Sequence, residues 1–293
     1  ILDELQKRFH FGADPEITLE ANPDSAQDIS ALRQLHDAGF DRLSLGMQSA
    51  DDAELRRIGR VHTHAQTVRA VENARAAGFD NLSLDLIYGL PEQTMTRWQA
   101  NLDAALALAP EHLSCYGLKV EEGTPLFARR ERFTLPDDDA QADMYLSAVG
   151  LLARQGYEQY EISNFARPGY EGKHNLIYWD CGDYLGIGPA AHSCMGGKRF
   201  YYPADTEAFL RDEAAPVMDG GCGAEDYLIL QLRLRKGLSL DEYKKRYGRE
   251  FSTSQLSFVK NCVKSGYANF DGHTLALTPA GLIVQNSILA ELL

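Results

Sequence analysis

The chain has 293 residues and a formal net charge of −13, and 44% of its residues are hydrophobic. This length can form one large domain or two, and the composition is typical of a soluble globular protein. No apolar run approaches the length of a membrane-spanning helix and no signal peptide is evident. The acidic charge argues against general nucleic-acid binding.

Five cysteines are spread along the chain without CxxC or CxxxCxxC spacing: Cys115, Cys181, Cys194, Cys222 and Cys262. Their odd number, in a chain of this size, favours a reduced cytoplasmic protein over a disulfide scaffold. The chain begins at Ile1 with an amphipathic segment that predicts a helix to Phe9, with no strand before it. We interpret this as a chain whose N-terminal part has been removed.

The first 120 residues alternate between strand and helix patterns, which is typical of a parallel sheet or barrel built from βα units. The predicted strands cover residues 16–20, 42–48, 81–86 and 112–119. The predicted helices cover residues 27–38, 51–58 and 95–108, the last of them capped by Thr94. Four strands are too few to close a barrel, so further strands would have to lie upstream.

Polar residues stand at or near the ends of these strands: Glu20, Gln48, Asp85, Tyr116 and Lys119. A carboxylate such as Asp85 inside an apolar strand costs several kcal/mol when it is buried alone, so it must receive hydrogen bonds. The carboxyl ends of barrel strands are also where ligands bind. Any one of these residues could be an ordinary satisfied polar group, but their repetition on four strands predicts a ligand-binding edge.

A polar connecting segment separates the first 120 residues from the middle part of the chain. Pro136 and the three aspartates after it predict a capped helix to about residue 155. A strand is predicted at 157–162, and a loop rich in Pro, Gly and aromatic residues at 163–183. The small residues of segment 184–193 suit close approach of the backbone to a ligand.

From residue 224 the pattern changes to three helices, a hairpin and a final helix. The helices are predicted at 225–235, 239–247 and 252–264, the hairpin at 268–277, and the last helix from the Thr278 cap to 293. This order resembles a winged-helix module. DNA binding is one interpretation, but the basic excess is small, so we favour a docking or lid module.

Short motifs in this order and spacing resemble those of the oxygen-independent coproporphyrinogen III oxidase-like family of the radical-SAM superfamily. They lie at residues 20–23, 45–49, 58–60, 85–94, 160–164, 166–169, 174–179 and 184–188. The resemblance implies an α/β fold in two domains. These are a partial (βα)6 radical-SAM barrel lacking its first strands, over residues 1–205, and a small C-terminal winged-helix-like α+β domain, over residues 206–293.

The resemblance implies S-adenosylmethionine as a cofactor, bound by Glu20, Gln48, Arg60 and Asp85. Asp85 would accept a hydrogen bond from a ribose hydroxyl, as strand-end acids do in dinucleotide folds. Glu20 and Arg60 suit the amino and carboxylate groups of the methionine moiety. The amide of Gln48 would complete the polar frame. For Arg60 the alternative is a solvated cation at a helix end.

The family's cluster cysteines, spaced CxxxCxxC, and the glycine-rich strand end that follows them are missing from this sequence. Thiolates hold a [4Fe-4S] cluster, and no cysteine triplet of this chain has a suitable spacing. We therefore expect the cluster in the full-length parent only. We expect this chain to have no metal site and to be unable to cleave S-adenosylmethionine.

Two branches of the family remain open. One branch decarboxylates coproporphyrinogen III without oxygen, and the other is a haem chaperone branch with an HNxxYW motif, to which His174-Asn175 with Tyr178-Trp179 is similar. In the chaperone, which we favour, His174 would ligate haem iron, and Tyr178 and Trp179 would pack on the macrocycle. Alternatively, His174 caps a loop and the aromatic residues are core. His192 is a rival ligand.

The resemblance implies haem or a porphyrin as ligand and a haem-acceptor protein as partner, with a membrane-associated acceptor as one candidate. Nucleic acid is not among the expected partners, and the expected location is the cytoplasm. An ordinary barrel hydrolase or aldolase is a third interpretation. It is disfavoured because Lys119 has no evident partner and no GxSxG or HExxH motif is present.

Overall fold

The computed structural model describes residues 1–13 and 15–293. Contacts between residues divide the chain into two compact units. Unit 1 comprises residues 1–159 and 163–171, and unit 2 comprises residues 160–162 and 172–293. This division falls earlier in the chain than the predicted boundary between the two domains, at residues 205 and 206. That domain boundary stays a prediction. Each unit is described by itself.

Unit 1 is built on a six-stranded sheet in the order β1-β2-β3-β4-β6-β5. Its strands are β1 Thr18–Ala21, β2 Arg42–Gln48, β3 Asn81–Tyr88, β4 His112–Gly117, β5 Glu158–Gln159 and β6 Asn164–Ala166. Strands β1 to β4 are parallel, and β6 joins β4 in the antiparallel direction. The predicted α/β class and parallel sheet are confirmed, and the described residues form no closed barrel.

The helices of unit 1 are α1 Leu2–Arg8, α2 Ile29–Asp37, α3 Asp52–Arg57, α4 His64–Ala77, α5 Met95–Ala107, α6 Pro125–Ala128 and α7 Asp138–Arg154. Thr94 caps α5 and Asp137 caps α7, as predicted. Helix α4 was missed, because most of its buried positions are alanines that give a weak hydropathy pattern. Its capping box, Thr63 with Gln66, is a local signal that could have located it.

One face of the parallel sheet carries the hydrophobic core of unit 1. Leu43 and Leu45 of β2 and Leu82 and Leu84 of β3 are all 0% exposed. These alternate positions share one side of the pleat, which is covered by helices. The indole Nε1 of Trp98 in α5 donates to the carbonyl of Met144 in α7 at 2.8 Å. The other face is therefore the one available for polar residues.

Unit 2 contains two three-stranded antiparallel sheets and seven helices. The strands are β7 His192–Met195, β8 Lys198–Tyr201, β9 Val217–Gly221, β10 Leu238–Ser239, β11 Ala268–Phe270 and β12 Thr274–Leu277. The helices are α8 Lys173–Trp179, α9 Thr206–Leu210, α10 Ala224–Gln231, α11 Leu240–Tyr247, α12 Thr253–Lys264, α13 Pro279–Ile283 and α14 Gln285–Leu292. Helices α10 to α12 followed by the β11–β12 hairpin match the predicted winged-helix-like order.

Several predicted boundaries were wrong. The predicted strand at 157–162 is reduced to the two residues of β5, and the predicted loop at 163–183 contains β6 and helix α8. The last helix is two helices, because the backbone of Val284 leaves the helical region between them. The β7–β9 sheet was not predicted, since its strands have only four or five residues each and β9 contains Asp219 and two glycines.

Within the part of the chain that the structure describes, no helix has both the length and the apolar character needed to cross a bilayer.

Candidate functional site

The face of the unit 1 sheet opposite the hydrophobic core is polar. Strand register places polar residues in adjacent rows across the strands: Thr18, Glu20, Arg42, Ser44, Asn81, Ser83, Asp85, His112, Ser114 and Asn164. Strands of parallel sheets are usually apolar on both faces, because helices cover both. A polar row on this many strands therefore indicates a face that meets a polar ligand or solvent.

Asp85 lies at the centre of this polar face. It accepts hydrogen bonds from the Ser44 hydroxyl at 3.2 Å and from Ser114, on the two strands that flank its own. Loss of hydration raises the pKa of the Asp85 carboxyl, and the negative charge of Glu20 adds to the effect. The prediction that Asp85 stands near the strand end was wrong, since β3 continues for three residues beyond it.

The predicted residues Gln48 and Arg60 both lie near Asn22, two positions after Glu20. Arg60 donates to the side-chain oxygen of Asn22 at 2.7 Å. The Gln48 amide lies over Gly46, where an added Cβ would stand 2.8 Å from Gln48 Nε2 and 3.6 Å from the Asn22 oxygen. An added Cβ would therefore force the Gln48 side chain to shift. The Arg60 guanidinium and the Gln48 amide thus lie near the ends of β1 and β2, and Glu20 is the third residue of β1.

Several buried polar atoms of this face have no protein partner. They are Thr18 Oγ1, Arg42 Nε, Asn81 Oδ1 and Asn164 Oδ1. Buried polar groups are normally hydrogen-bonded, so such atoms point to a polar ligand or ordered water at the face. The donors, acceptors and charges present fit the amino, carboxylate and ribose groups of S-adenosylmethionine.

His112 is a further polar residue that was not predicted. It is 2% exposed, and its Nδ1 lies 2.8 Å from the Ser83 hydroxyl. Burial, reinforced by the charge of Arg42, lowers the pKa of His112 well below its usual value. The signal that could have located this row is the strict alternation in Arg42–Ser44 and Asn81–Asp85, which is unusual for parallel strands.

The other two polar strand-end residues are more exposed. Tyr116 lies on the same side of β4 as His112 and Ser114 and is 41% exposed, whereas Lys119 lies beyond the end of β4. The Lys119 ammonium is 3.1 Å from Glu121, and both side chains are well exposed. Such an exposed lysine lacks the desolvated surroundings that activate a Schiff-base lysine.

A second candidate site lies in unit 2 on helix α8, which carries His174 and Tyr178 one turn apart. The Tyr178 hydroxyl is 2.6 Å from His174 Nε2, and the two rings pack edge to face with centroids 4.7 Å apart. His174 is exposed, and Tyr178 also packs on Tyr184, with centroids 4.4 Å apart. The expectation that the motif lies in a loop was wrong.

Trp179 is not brought together with His174. Five positions along a helix turn its side chain by about 140°, and the guanidinium of Arg233 lies 5.4 Å from the centroid of its ring. The Trp179 carbonyl and the Asp180 carboxylate both accept hydrogen bonds from Gln231 at 2.8 Å. These contacts fix the C-terminal end of α8 to the rest of unit 2.

In the small-residue segment after α8, part of the space beside the backbone is filled by the protein's own backbone. A Cβ at Gly186 would come within 2.3 Å of the His192 carbonyl oxygen, so this glycine lets two backbone segments pass each other. Gly188, with φ +122°, has open space around it. His192 stands in strand β7, not in a loop, and its ring stacks on Tyr201 at 5.0 Å.

Within residues 1–13 and 15–293, no three His, Cys, Asp or Glu residues are grouped in a way that could hold a metal ion. All five cysteines are free thiols. Cys222 is the hydrogen-bond partner of both Cys181 and Cys194, and burial raises the pKa of both of these thiols. These residues do not form a ligand set for a [4Fe-4S] cluster, so no role below involves one.

Comparison with known proteins gives the family. Residues 1–105 match the model of the radical SAM superfamily, and residues 224–284 match that of the HemN C-terminal domain. The heme chaperone HemW of Haemophilus influenzae is 43% identical, with 99% of this chain and 76% of the relative covered. The chain belongs to the heme chaperone HemW family. The Bacillus subtilis HemW is 35% identical, with 95% of this chain and 76% of the relative covered.

The fold has a counterpart of known structure. The coproporphyrinogen III oxidase HemN from Escherichia coli, a radical SAM enzyme, superposes with a TM-score of 0.80 at 22% identity, over 99% of this chain and 72% of that one. The predicted radical-SAM, coproporphyrinogen oxidase-like family and its chaperone branch are therefore confirmed. The chain spans about three quarters of the length of its HemW relatives.

Proposed function

We propose that this protein is a haem chaperone that binds haem through helix α8, with His174 as the axial ligand to iron. Membership of the HemW family supports the class of function. The observation that carries the site is the exposed His174–Tyr178 pair on one face of α8. Imidazole is a common axial ligand of haem, and an aromatic ring one turn away can pack on the macrocycle.

The hydrogen bond between the two side chains determines how His174 would bind iron. Burial raises the pKa of Tyr178, so its phenol stays protonated near neutral pH and, in the tautomer that we propose, donates to His174 Nε2. The imidazole proton then lies on Nδ1, and Nε2 carries the lone pair. Ligation through Nε2 requires Tyr178 to release that lone pair. In the segment that follows α8, the position of an added Cβ at Gly188 is open.

We also propose that the polar face of unit 1 binds S-adenosylmethionine. Arg60 would hold the carboxylate of the methionine moiety, Glu20 its amino group, and Asp85 a ribose hydroxyl. The positions of Arg60, bonded to Asn22, and of Gln48 near the same residue support this assignment. We propose the cytoplasm as the location of the protein, and a haem-binding apoprotein, soluble or membrane-associated, as the acceptor.

Haem titration followed by absorbance tests the chaperone proposal. We expect the wild type to bind haem with the Soret spectrum of a histidine-ligated species and His174→Ala to lose that spectrum. His273→Ala is the matched control, because His273 is also exposed in unit 2 and pairs with Asp241 at 3.0 Å. A histidine-ligated spectrum that survives His174→Ala but is lost in His192→Ala would transfer the role to His192. Anaerobic decarboxylation of coproporphyrinogen III by the wild type would favour the oxidase instead.

A further inference from the structure

Glu54, in helix α3, is a fully buried carboxylate that joins three elements of unit 1. Its Oε2 accepts three hydrogen bonds, from Ser49 Oγ at 2.7 Å, Asn101 Nδ2 at 2.9 Å and Gln93 Nε2 at 3.1 Å. Ser49 follows β2, Gln93 lies in the turn after β3, and Asn101 is on α5. One oxygen therefore ties together the segments at the carboxyl ends of two adjacent strands.

Two of the side chains that donate to Glu54 also accept a hydrogen bond from a backbone amide. Asn101 Oδ1 accepts from the Ala50 amide at 2.9 Å, and Gln93 Oε1 accepts from the Gly89 amide at 2.8 Å. With the carboxylate in place, each amide side chain has its nitrogen directed at Glu54 and its oxygen at the backbone. The carboxylate thus fixes the orientation of both side chains and, through them, the path of the chain after β2 and β3.

The residue directly before this network is Gln48, one of the four predicted ligand contacts. Its backbone has φ +62°, a left-handed conformation that is uncommon for residues other than glycine. Such a conformation persists when surrounding contacts hold it. The next two residues in sequence are held by hydrogen bonds, since the Ser49 hydroxyl donates to Glu54 and the Ala50 amide donates to Asn101. These bonds are placed to hold the backbone of Gln48 in its left-handed conformation, with its side chain over Gly46.

We propose that Glu54 is a positioning residue for the ligand-binding face of unit 1. It is 0% exposed, so its side chain does not reach the surface where a ligand would bind. It acts by holding the turn after β2, and with it the Gln48 amide, against the turn after β3. The inference rests on the proposed S-adenosylmethionine site for its functional consequence, but the positioning itself can be measured without a ligand.

Two substitutions test whether the positioning role of Glu54 depends on its acceptor oxygen. Glu54→Leu removes the acceptor, whereas Glu54→Gln keeps a carbonyl oxygen that can accept the same three bonds. Glu111→Leu is the matched control. Glu111 is also an anchoring carboxylate, 15% exposed, that accepts from Arg75 at 2.8 Å and from the Leu82 amide at 2.8 Å, but it lies at the opposite ends of the strands. Both leucine variants should lower the melting temperature.

Calorimetric titration with S-adenosylmethionine measures the functional effect at a temperature where each variant is folded. We expect Glu54→Leu to weaken binding about tenfold or more, as the loss of one or two hydrogen bonds to a polar ligand would do. Glu54→Gln should recover most of the affinity, and Glu111→Leu should bind like the wild type. Equal affinities for Glu54→Leu and the wild type would overturn the inference.

Hydrogen exchange provides the readout that needs no ligand. In Glu54→Leu we expect faster exchange of the Ala50 and Gly89 amides, while Glu111→Leu should affect the Leu82 amide instead. If the wild type does not bind S-adenosylmethionine, the proposed binding site is wrong. The positioning role is tested separately: it would be overturned if the Ala50 amide exchanged as slowly in Glu54→Leu as in the wild type. Should Glu54→Leu fail to fold, Asn101→Ala removes the acceptor of the Ala50 amide and permits the same comparison.

Discussion

The hydroxyl of Tyr178 lies 2.6 Å from Nε2 of His174, so the nitrogen that would bind iron already has a hydrogen-bond partner. Haem must displace this partner to be ligated through Nε2. A neutral hydrogen bond contributes about 1 kcal/mol, so the competition should lower haem affinity by roughly fivefold.

Tyr178→Phe should therefore strengthen haem binding by roughly fivefold, because the phenyl ring keeps the packing and removes the competing donor. Absorbance titration of the wild type and the variant measures the difference. Weaker binding in Tyr178→Phe would show that the hydroxyl assists haem binding, and the competition proposed here would then be wrong.

Asp85 should affect stability and ligand binding in opposite directions. Its pKa is raised in the folded state, so its stabilising contribution is present below the usual value of 3.8 and is lost as the pH rises through the folded pKa. Asp85→Asn should thus raise the melting temperature at pH 7. Asp85→Ala, which lacks any acceptor, should weaken S-adenosylmethionine binding by about 1–3 kcal/mol.

Thermal unfolding and calorimetric titration of the same Asp85 preparations check both effects. Unchanged affinity in Asp85→Ala would remove Asp85 from the proposed site. A lower melting temperature for Asp85→Asn at pH 7 would show that the Ser44 and Ser114 hydrogen bonds outweigh the cost of burying the charge.

His112 should make the fold sensitive to mild acid. Its folded pKa lies well below 6.5, so the unfolded chain takes up a proton below about pH 6.5 that the folded chain does not. The contribution of His112 to the free energy of unfolding is fully present above about pH 6.5. It falls as the pH decreases, by at most about 1.4 kcal/mol per pH unit. The unfolding free energy of His112→Gln should fall less steeply between pH 6.5 and 5.

Urea denaturation at several pH values measures this slope. His10→Gln is the control, because His10 is exposed. An identical slope for the wild type and His112→Gln would mean that another group is responsible for the acid sensitivity.

We expect this 293-residue chain to assemble no [4Fe-4S] cluster. Cluster ligation needs three or four thiolates directed at one centre, and the described cysteines do not form such a group. Anaerobic reconstitution followed by iron and sulfide analysis is the measurement. Four irons and four sulfides per chain, lost in Cys222→Ser, would show that Cys181, Cys194 and Cys222 can rearrange into a cluster site.

The sequence predicted the parallel sheet because strand patterns alternate with helix patterns along the first 120 residues. It placed Asp85 too near the strand end, since Gly89 and Pro91 stop a strand pattern without showing how far the pairing with β4 continues. It could not show that the 174–179 motif is helical, because the flanking glycines and proline favour a loop. The Glu54 network lay outside prediction, since it joins residues up to 52 positions apart.

The chain has two tryptophans, and each unit contains one of them. Trp98 is fully buried in unit 1, whereas Trp179 in unit 2 is partly exposed beside Arg233. Intrinsic fluorescence therefore contains one independent optical signal for each half of the molecule. In Trp98→Phe the emission would come from the C-terminal half alone, and in Trp179→Phe from the N-terminal half alone. The order in which the halves melt could then be followed without attaching a dye.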